Sequence, residues 1–368
     1  CRVSYTCGIH SSGARLSVTP DSYRSNMRLF LPGKAGGAMT PSTYFETKLG
    51  RIVLGDAVDV LKNEIPEGTV NLIVTSPPFA LLREKDYGNA HQDHYLDWFR
   101  PFGELFHRAL RDDGSLVIDI GGSWKPGQPT RSLYHFKLLI MLVEEMGFHL
   151  AQEFFWWNQA KLPTPAEWVN VRRIRVKDAV NCVWWLSKSP WPRADNRRVL
   201  QPYSQAMHDL LENGYTPKMR PSGHDISGNF ATDNGGAIPP NLLAIPNTES
   251  NGPYQQYCKE HGIRPHPARF PTELPEYFVR FLTDKGDLVV DPFAGSCVTG
   301  EVAERLDRRW VCVDLEEEYL EGALGRFGPE PTGSRKVAEA YTVARPGSLW
   351  KANTGGKLRA DGGRSRGR

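Results

Sequence analysis

The sequence has little that would place it in a membrane or in an oxidising compartment. No run of about 18 uncharged apolar residues occurs in the chain of 368 residues, and the first thirty residues lack the apolar stretch of a signal peptide. The six cysteines show no CxxC spacing, which argues against a zinc site and against a disulfide scaffold. We therefore expect a cytoplasmic protein with reduced cysteines, no bound metal and no membrane contact.

Positive charge is concentrated in the middle of the chain. Residues 155–270 carry fourteen basic and nine acidic side chains, a net charge of +5, whereas the whole chain has a net charge of +3. Residues 345–368 add seven basic side chains and one acidic side chain, in a Gly/Arg-rich setting that is typical of disorder. A cationic middle favours a polyanionic partner such as nucleic acid.

Apolar segments of strand length alternate with segments of helical periodicity. With 40% hydrophobic and 11% aromatic residues, the chain can bury a large core. The patterns predict strands at 51–54, 70–75, 115–119, 149–157, 179–186, 287–290 and 310–313, and helices at 58–61, 93–111, 134–146, 274–282, 299–305 and 316–324. This alternation predicts an α/β fold with a doubly wound, mostly parallel sheet. Residues 188–265 are rich in Pro, Gly, Asn and Ser and predict a loop-heavy region on that scaffold.

The first candidate site is the loop Asp291-Pro292-Phe293-Ala294-Gly295-Ser296-Cys297, between a predicted strand and a predicted helix. A glycine in such a turn lets the backbone approach a ligand closely, and open parallel sheets bind ligands at this edge. The loop has neither a GxGxxG pattern nor the Lys-Ser/Thr ending of a phosphate loop, so it favours a nucleoside without a pyrophosphate. Asp314 ends the next strand and is placed to accept hydrogen bonds from two ribose hydroxyls.

The second candidate site is the loop Thr75-Ser76-Pro77-Pro78-Phe79, which also follows an apolar strand. Two successive prolines restrict the backbone and hold a carbonyl pointing outward. The Ser76 hydroxyl and a proline carbonyl can accept the two N–H bonds of an exocyclic base amine and direct its lone pair toward a methyl donor. Phe79 would stack on that base. Taken alone, the Pro-Pro pair also fits a rigid turn.

Together the two loops resemble those of the DNA amino-methyltransferases, which read Asp-Pro-Phe-x-Gly-Ser and Asp/Asn/Ser-Pro-Pro-Tyr/Phe. Their order, with the catalytic loop first, resembles the beta class of that family. Serine as the first catalytic residue is more typical of cytosine-N4 enzymes and aspartate of adenine-N6 enzymes, and the Pro-Cys dipeptide of cytosine-C5 enzymes is missing. The likeness looks especially close to PvuII-type cytosine-N4 methyltransferases over about residues 43–327, through segments 75–81, 87–89, 161–163, 167–170, 174–181, 220–226, 234–236, 238–243 and 266–271.

This resemblance implies a methyltransferase fold that uses S-adenosyl-L-methionine as cofactor and methylates cytosine N4 in double-stranded DNA, at the palindrome CAGCTG. It also implies a restriction-modification system with a cognate restriction endonuclease. Cys297 departs from the glycine of many family members. The implied catalytic residues are Ser76, Pro77, Pro78 and Phe79. The implied cofactor-binding residues are Asp56, Thr75, His266, Pro267, Asp291, Phe293, Gly295, Ser296 and Asp314.

A base amine inside a duplex is out of reach, so the target base must leave the stack and enter a protein pocket. By resemblance, Trp156 and Trp157 line this flipped-base pocket beside Phe155, although aromatic residues at these positions also fit a core cluster. Basic and polar side chains of the cationic middle are expected to contact DNA, although charge runs are also common on solvated faces. These expected DNA-binding residues are Arg172, Arg173, Arg175, Lys177, Lys218, Arg220 and His224.

The predicted organisation has five parts. Residues 1–42 form an N-terminal extension that is untranslated or disordered, and residues 328–368 form a basic tail. Between them lie a catalytic part at 43–160, a target-recognition region at 161–265 and a cofactor-binding part at 266–327. The alternatives to a cytosine-N4 enzyme are an adenine-N6 DNA methyltransferase, a protein or RNA amino-methyltransferase and a protein that only binds.

Overall fold

Apolar runs of the sequence form the strands of one mixed sheet. The computed structural model describes residues 40–80, 91–214, 232–249 and 251–327. Its strands are β1 (Ser42–Glu46), β2 (Gly50–Leu54), β3 (Val70–Thr75), β4 (Leu110–Ile120), β5 (His149–Trp157), β6 (Val180–Ser187), β7 (Leu242–Leu243), β8 (Leu288–Asp291) and β9 (Arg309–Asp314).

Helices cover both faces of this sheet. They are α1 (Ala57–Asn63), α2 (Tyr95–Ala109), α3 (Tyr134–Ile140), α4 (Gln205–Asn213), α5 (Pro253–His261), α6 (Glu273–Leu282), α7 (Val298–Arg305) and α8 (Glu317–Ala323). Short π or 3₁₀ turns lie at Met141–Glu145, Glu167–Val171, Asn196–Val199 and Leu324–Arg326. Across the ranges that the structure describes, no helix is both long enough and apolar enough to span a bilayer.

The strand order places β3 and β8 side by side at the centre of the sheet. The full order is β1-β2-β9-β8-β3-β4-β6-β5-β7, and the five strands from β2 to β4 in that order run parallel. From β8 the chain continues outward to β9, whereas from β3 it continues in the opposite direction to β4. The gap between the ends of β3 and β8 is therefore a topological switch point, where doubly wound folds bind ligands.

Alternate strand residues enter two separate cores, one on each face. In β3, Ile73 packs with α1, α2 and α3, whereas Leu72 and Val74 pack with α6, α7 and α8. All six residues of β3 are buried, as expected for a central strand covered on both faces. This packing holds the end of β3 at a defined position relative to β8.

The structure confirms the predicted fold class and differs from the prediction in the region 188–265. That region contains helices α4 and α5, which the loop-rich composition did not predict. Ser204 caps α4 by accepting a hydrogen bond from the Met207 amide, and Pro253 begins α5, which ends at Gly262 in the left-handed conformation. Most of the predicted N-terminal extension and the whole basic tail lie outside the described residues, and the predicted domain bounds stay predictions.

Candidate active site

The two candidate loops converge at the switch point. Thr75 ends β3 and Asp291 ends β8, and the Thr75 hydroxyl donates a hydrogen bond to the Asp291 carboxylate with an Oγ1–Oδ1 distance of 2.7 Å. Both residues are 1% exposed, so water does not compete for this bond. Two loops that are more than 200 residues apart in the sequence are therefore in direct contact.

Asp291 organises the turn that follows β8. Its carboxylate also accepts hydrogen bonds from the Thr299 hydroxyl at 2.7 Å and from the Phe293 amide at 3.1 Å. Burial raises its pKa to about 6, although these donors favour the charged form. The prediction that Asp291 binds the cofactor stays a prediction; in the structure its contacts hold the two loops together.

Asp314 joins the cofactor loop to the end of β9. One carboxylate oxygen accepts the Gly295 amide at 2.7 Å and the other accepts the Glu316 amide at 3.0 Å. Gly295 has a φ of 51°, and a Cβ there would lie 3.2 Å from the His266 ring. Glycine therefore suits this position for two reasons, the left-handed backbone and the close approach of His266.

The other predicted cofactor residues lie around this loop. Asp56 follows β2, the strand beside β9, and its carboxylate caps α1 by accepting the Val58 amide at 2.8 Å. Pro267 lines an open cavity with Asn247 and Arg269. Phe293 packs on Trp98 and Phe102, and Ser296 is buried with its carbonyl bonded to Arg326. Cys297 has a φ of 54°, in the left-handed region that glycine adopts most readily.

Two tyrosines hold the loop at 75–79 and the Gly121 backbone against which that loop packs. The Tyr95 hydroxyl donates to the Pro78 carbonyl at 2.9 Å, and the Tyr134 hydroxyl donates to the Gly121 carbonyl. The Phe79 ring packs directly on Gly121, where a Cβ would lie 2.6 Å from the ring. Tyr95 uses one lone pair of the Pro78 carbonyl, and the assignment of the outward carbonyl to one of the two prolines stays a prediction.

Asp119 is a site residue that the sequence analysis missed. It lies near the end of β4, and its carboxylate accepts the Ser76 hydroxyl at 3.1 Å and the Asn181 side-chain amide at 3.1 Å. Burial raises the pKa of Asp119 to about 6, whereas the hydrogen bonds from Asn181 and Ser76 act in the opposite direction. Its position at the end of an apolar strand, just before Gly121 and Gly122, was the signal that could have revealed it.

The arrangement is matched by one protein family over most of the chain. The family described as "DNA methylase" matches residues 70–324, which include both loops and Asp119. The chain belongs to the DNA methylase family. Within the part of this methylase that the structure describes, no three His, Cys, Asp or Glu side chains form a group that could hold a metal ion.

Individual relatives of the methylase agree with this assignment. The Type II methyltransferase M.PvuII of Proteus hauseri is 50% identical over 300 residues, which cover 81% of this chain and 89% of that protein. M.BglII of Bacillus subtilis is 26% identical over 82% of this chain and 76% of its own length. The solved structure titled "PvuII DNA methyltransferase (cytosine-N4-specific)" superimposes with a TM-score of 0.65 and 43% identity, over 81% of this chain and 92% of that one.

The predicted pocket aromatics occupy different environments in the methylase. Trp156 is 6% exposed, packs in the core on the face of α6 to α8, and donates its indole N–H to the Ile245 carbonyl at 2.8 Å. This placement favours the core alternative for Trp156. Trp157 is half-buried at the end of β5, and Phe155 is 36% exposed. A base-stacking role for Trp157 stays a prediction.

The predicted DNA-binding residues of the methylase fall into two sets. Arg172, Arg173, Arg175 and Lys177 lie on the connection between the Glu167–Val171 turn and β6, which is largely exposed. Lys218, Arg220 and His224 lie outside the described residues.

We expect Thr75→Val to destabilise the methylase because the substitution leaves a buried carboxylate oxygen without its donor. The free energy of unfolding in urea should fall by about 1–3 kcal/mol at pH 7. Thr43→Val is the matched control, since Thr43 is exposed on β1. Equal effects of the two substitutions would show that the bond between the loops contributes nothing to stability.

Proposed function

We propose that this methylase transfers the methyl group of S-adenosyl-L-methionine to N4 of cytosine in double-stranded DNA. The observation that carries the proposal is the hydrogen bond between Thr75 and Asp291, which joins the loop that contains Ser76 and Pro77 to the loop that contains Gly295. The 50% identity to M.PvuII and the printed specificity of the matching solved structure support cytosine N4 as the target atom.

The residues around Gly295 fit this cofactor. Asp314 keeps a second lone pair on each carboxylate oxygen after accepting two backbone amides, so it can also accept ribose hydroxyls. Burial lowers the pKa of His266 to about 4, so its ring is neutral at pH 7 and can cover the turn without adding positive charge. When bound, S-adenosylmethionine supplies an electrophilic methyl group on a positively charged sulfur.

Ser76 and Pro77 activate the amine. The lone pair of an exocyclic amino nitrogen is delocalised into the base ring, which makes it a poor nucleophile. If the Ser76 oxygen and the Pro77 carbonyl each accept one N–H, the nitrogen becomes tetrahedral and its lone pair points toward the methyl group. The amine nitrogen would then take up the methyl group that S-adenosylmethionine supplies as the carbon–sulfur bond breaks, and the nitrogen would lose a proton.

Asp119 fixes the direction of the Ser76 hydroxyl. In its ionised form Asp119 is only an acceptor, so the Ser76 proton points to Asp119 and the serine oxygen presents lone pairs to the amine. Asn181 donates to the other Asp119 oxygen and holds the carboxylate in place. The hydrogen bond from Ser76 also gives the departing amine proton a path to a carboxylate whose raised pKa favours its uptake.

The finer parts of the proposal concern the DNA site and the biological setting. The relation to M.PvuII supports the palindrome CAGCTG as the target sequence. It also supports a functional partnership with a restriction endonuclease, whose cleavage this methylation would block. Phe79, whose ring packs on Gly121, is proposed to stack on the cytosine after it leaves the duplex.

The test is methylation of a duplex that contains CAGCTG with a labelled methyl donor, followed by digestion to nucleosides. We expect label only in N4-methylcytosine, and no label in a matched duplex that lacks the palindrome. Label in N6-methyladenine would replace the proposal with the adenine alternative. Label in RNA or protein but not in duplex DNA would overturn it.

We expect Ser76→Ala to lower kcat by about 10²-fold, because the substitution removes one of the two acceptors that hold the amine. The dissociation constant of S-adenosylmethionine, measured by titration calorimetry, should change little because Ser76 lies in the other loop. If the substitution weakened cofactor binding as much as it lowered turnover, the loop would have a structural role only.

The rate of the methyl-transfer step should increase as the pH rises through about 6. Ionised Asp119 orients Ser76 in the proposed mechanism, and below this pH the raised pKa of Asp119 leaves its carboxylate protonated. Asp119→Asn should lower the single-turnover rate by about 10²-fold and remove this dependence. Asp291 and Asp314 also have pKa values of about 6. The measurement is therefore made with saturating cofactor and DNA, so that weaker binding on their protonation does not change the rate. An unchanged pH profile in the variant would exclude this role of Asp119.

A further inference from the structure

An exposed segment near the active site combines apolar and cationic side chains. In residues 171–177, here called the 171–177 segment, Val171 is 69% exposed, Ile174 is 59% exposed and Val176 is 84% exposed. Four basic residues alternate with these aliphatic residues. Exposed apolar side chains close together mark an interaction surface, and the surrounding positive charge favours a polyanion that also has apolar faces. Duplex DNA has both properties.

Most of the cations in the segment hold it in place. Arg172 forms an ion pair with Glu167 at 2.7 Å and lies over the Trp168 ring. Lys177 donates to two backbone carbonyls, at 3.2 Å each. Arg173 has a left-handed backbone with a φ of 55° and is exposed. Arg173 and the aliphatic side chains of the segment are therefore exposed on a backbone that these contacts hold in place.

Arg175 clamps the segment to the loop after β4. Its guanidinium lies 4.0 Å from the centre of the Trp124 ring and donates to the Pro129 carbonyl at 2.6 Å. Arg131 lies over the same ring at 5.5 Å and pairs with Asp178 at 2.8 Å. Together these contacts, here called the clamp, fix the 171–177 segment against the loop after β4. The segment is therefore held more rigidly than a loop without such contacts.

The clamp reaches the catalytic loop through two glycines. The Arg131 guanidinium packs directly on Gly122, and the neighbouring Gly121 carries the Phe79 ring on its surface. A continuous line of contacts thus connects Phe79, beside the catalytic serine, with the 171–177 segment. Because the proposed function brings the extruded base to Phe79, these contacts connect the 171–177 segment with the proposed base site.

We infer that the 171–177 segment contacts the duplex beside the extruded cytosine and that Val176 enters the space that the cytosine leaves in the stack. This inference rests on the proposed function. Extrusion leaves neighbouring bases without their stacking partner, and an apolar side chain that fills the gap stabilises the extruded state. Val176 is assigned this position because it is the most exposed of the three aliphatic residues.

The inference is tested with Val176→Ala on two duplexes that contain the same site. In one the target cytosine pairs with guanine, and in the other it lies opposite adenine, which reduces the cost of extrusion. On the paired duplex we expect the single-turnover rate at saturating DNA to fall about tenfold. On the mispaired duplex the variant should stay within about twofold of the wild-type enzyme, because less stabilisation is needed.

Extrusion itself is followed with 2-aminopurine in place of the target cytosine, since its fluorescence rises when it leaves the stack. Val176→Ala should reduce this rise at least threefold, whereas the control Leu150→Ala, at the opposite end of β5 from Trp157, should not. Unchanged rates and fluorescence, or an equal loss of rate on both duplexes, would overturn the inference. Failure of the wild-type enzyme to methylate either duplex would instead contradict the proposed function.

Discussion

The hydrogen bond between Thr75 and Asp291 is the contact on which the active site depends. It joins the ends of β3 and β8, two central strands that come from the N-terminal and the C-terminal half of the chain, and it is buried from water. Because Ser76 directly follows Thr75, this bond also fixes Ser76, the proposed catalytic serine, relative to the turn at Gly295. Two loops that are far apart in sequence become one site through a single donor and acceptor at the switch point of the sheet.

Buried carboxylates dominate the electrostatics of this edge. Burial raises the pKa values of Asp119, Asp291 and Asp314 to about 6, and each carboxylate is stabilised by hydrogen bonds from hydroxyl, amide or backbone groups. At pH 7 these three carboxylates are therefore mostly ionised, whereas His266 is neutral because its pKa is lowered to about 4. Ionised carboxylate acceptors held in fixed positions suit a ligand with a positively charged sulfur and ribose hydroxyls.

Much of the fold and part of the site followed from the sequence. The central strands are continuous apolar runs, which the sequence pattern predicts. Thr75, Asp291 and Asp314 lie at the ends of these strands, as the sequence also predicts. Asp119 was missed because its proposed role depends on strand β6, which brings Asn181 beside it from more than 60 residues away. Helices α4 and α5 were missed because their caps are local details within a loop-rich composition. Burial of Trp156 depends on which face of β5 is covered by α6, and strand periodicity alone does not show this.

The most direct measurement is a crystal structure of the enzyme with a CAGCTG duplex and a non-reactive analogue of S-adenosylmethionine. The account predicts a cytosine outside the duplex, stacked on Phe79, with its N4 atom about 3 Å from both Ser76 Oγ and the Pro77 carbonyl oxygen. The lone pair of N4 should face the position of the transferable methyl group. A cytosine that remained stacked in the duplex, or an extruded base whose amino group faced away from Ser76, would contradict the account.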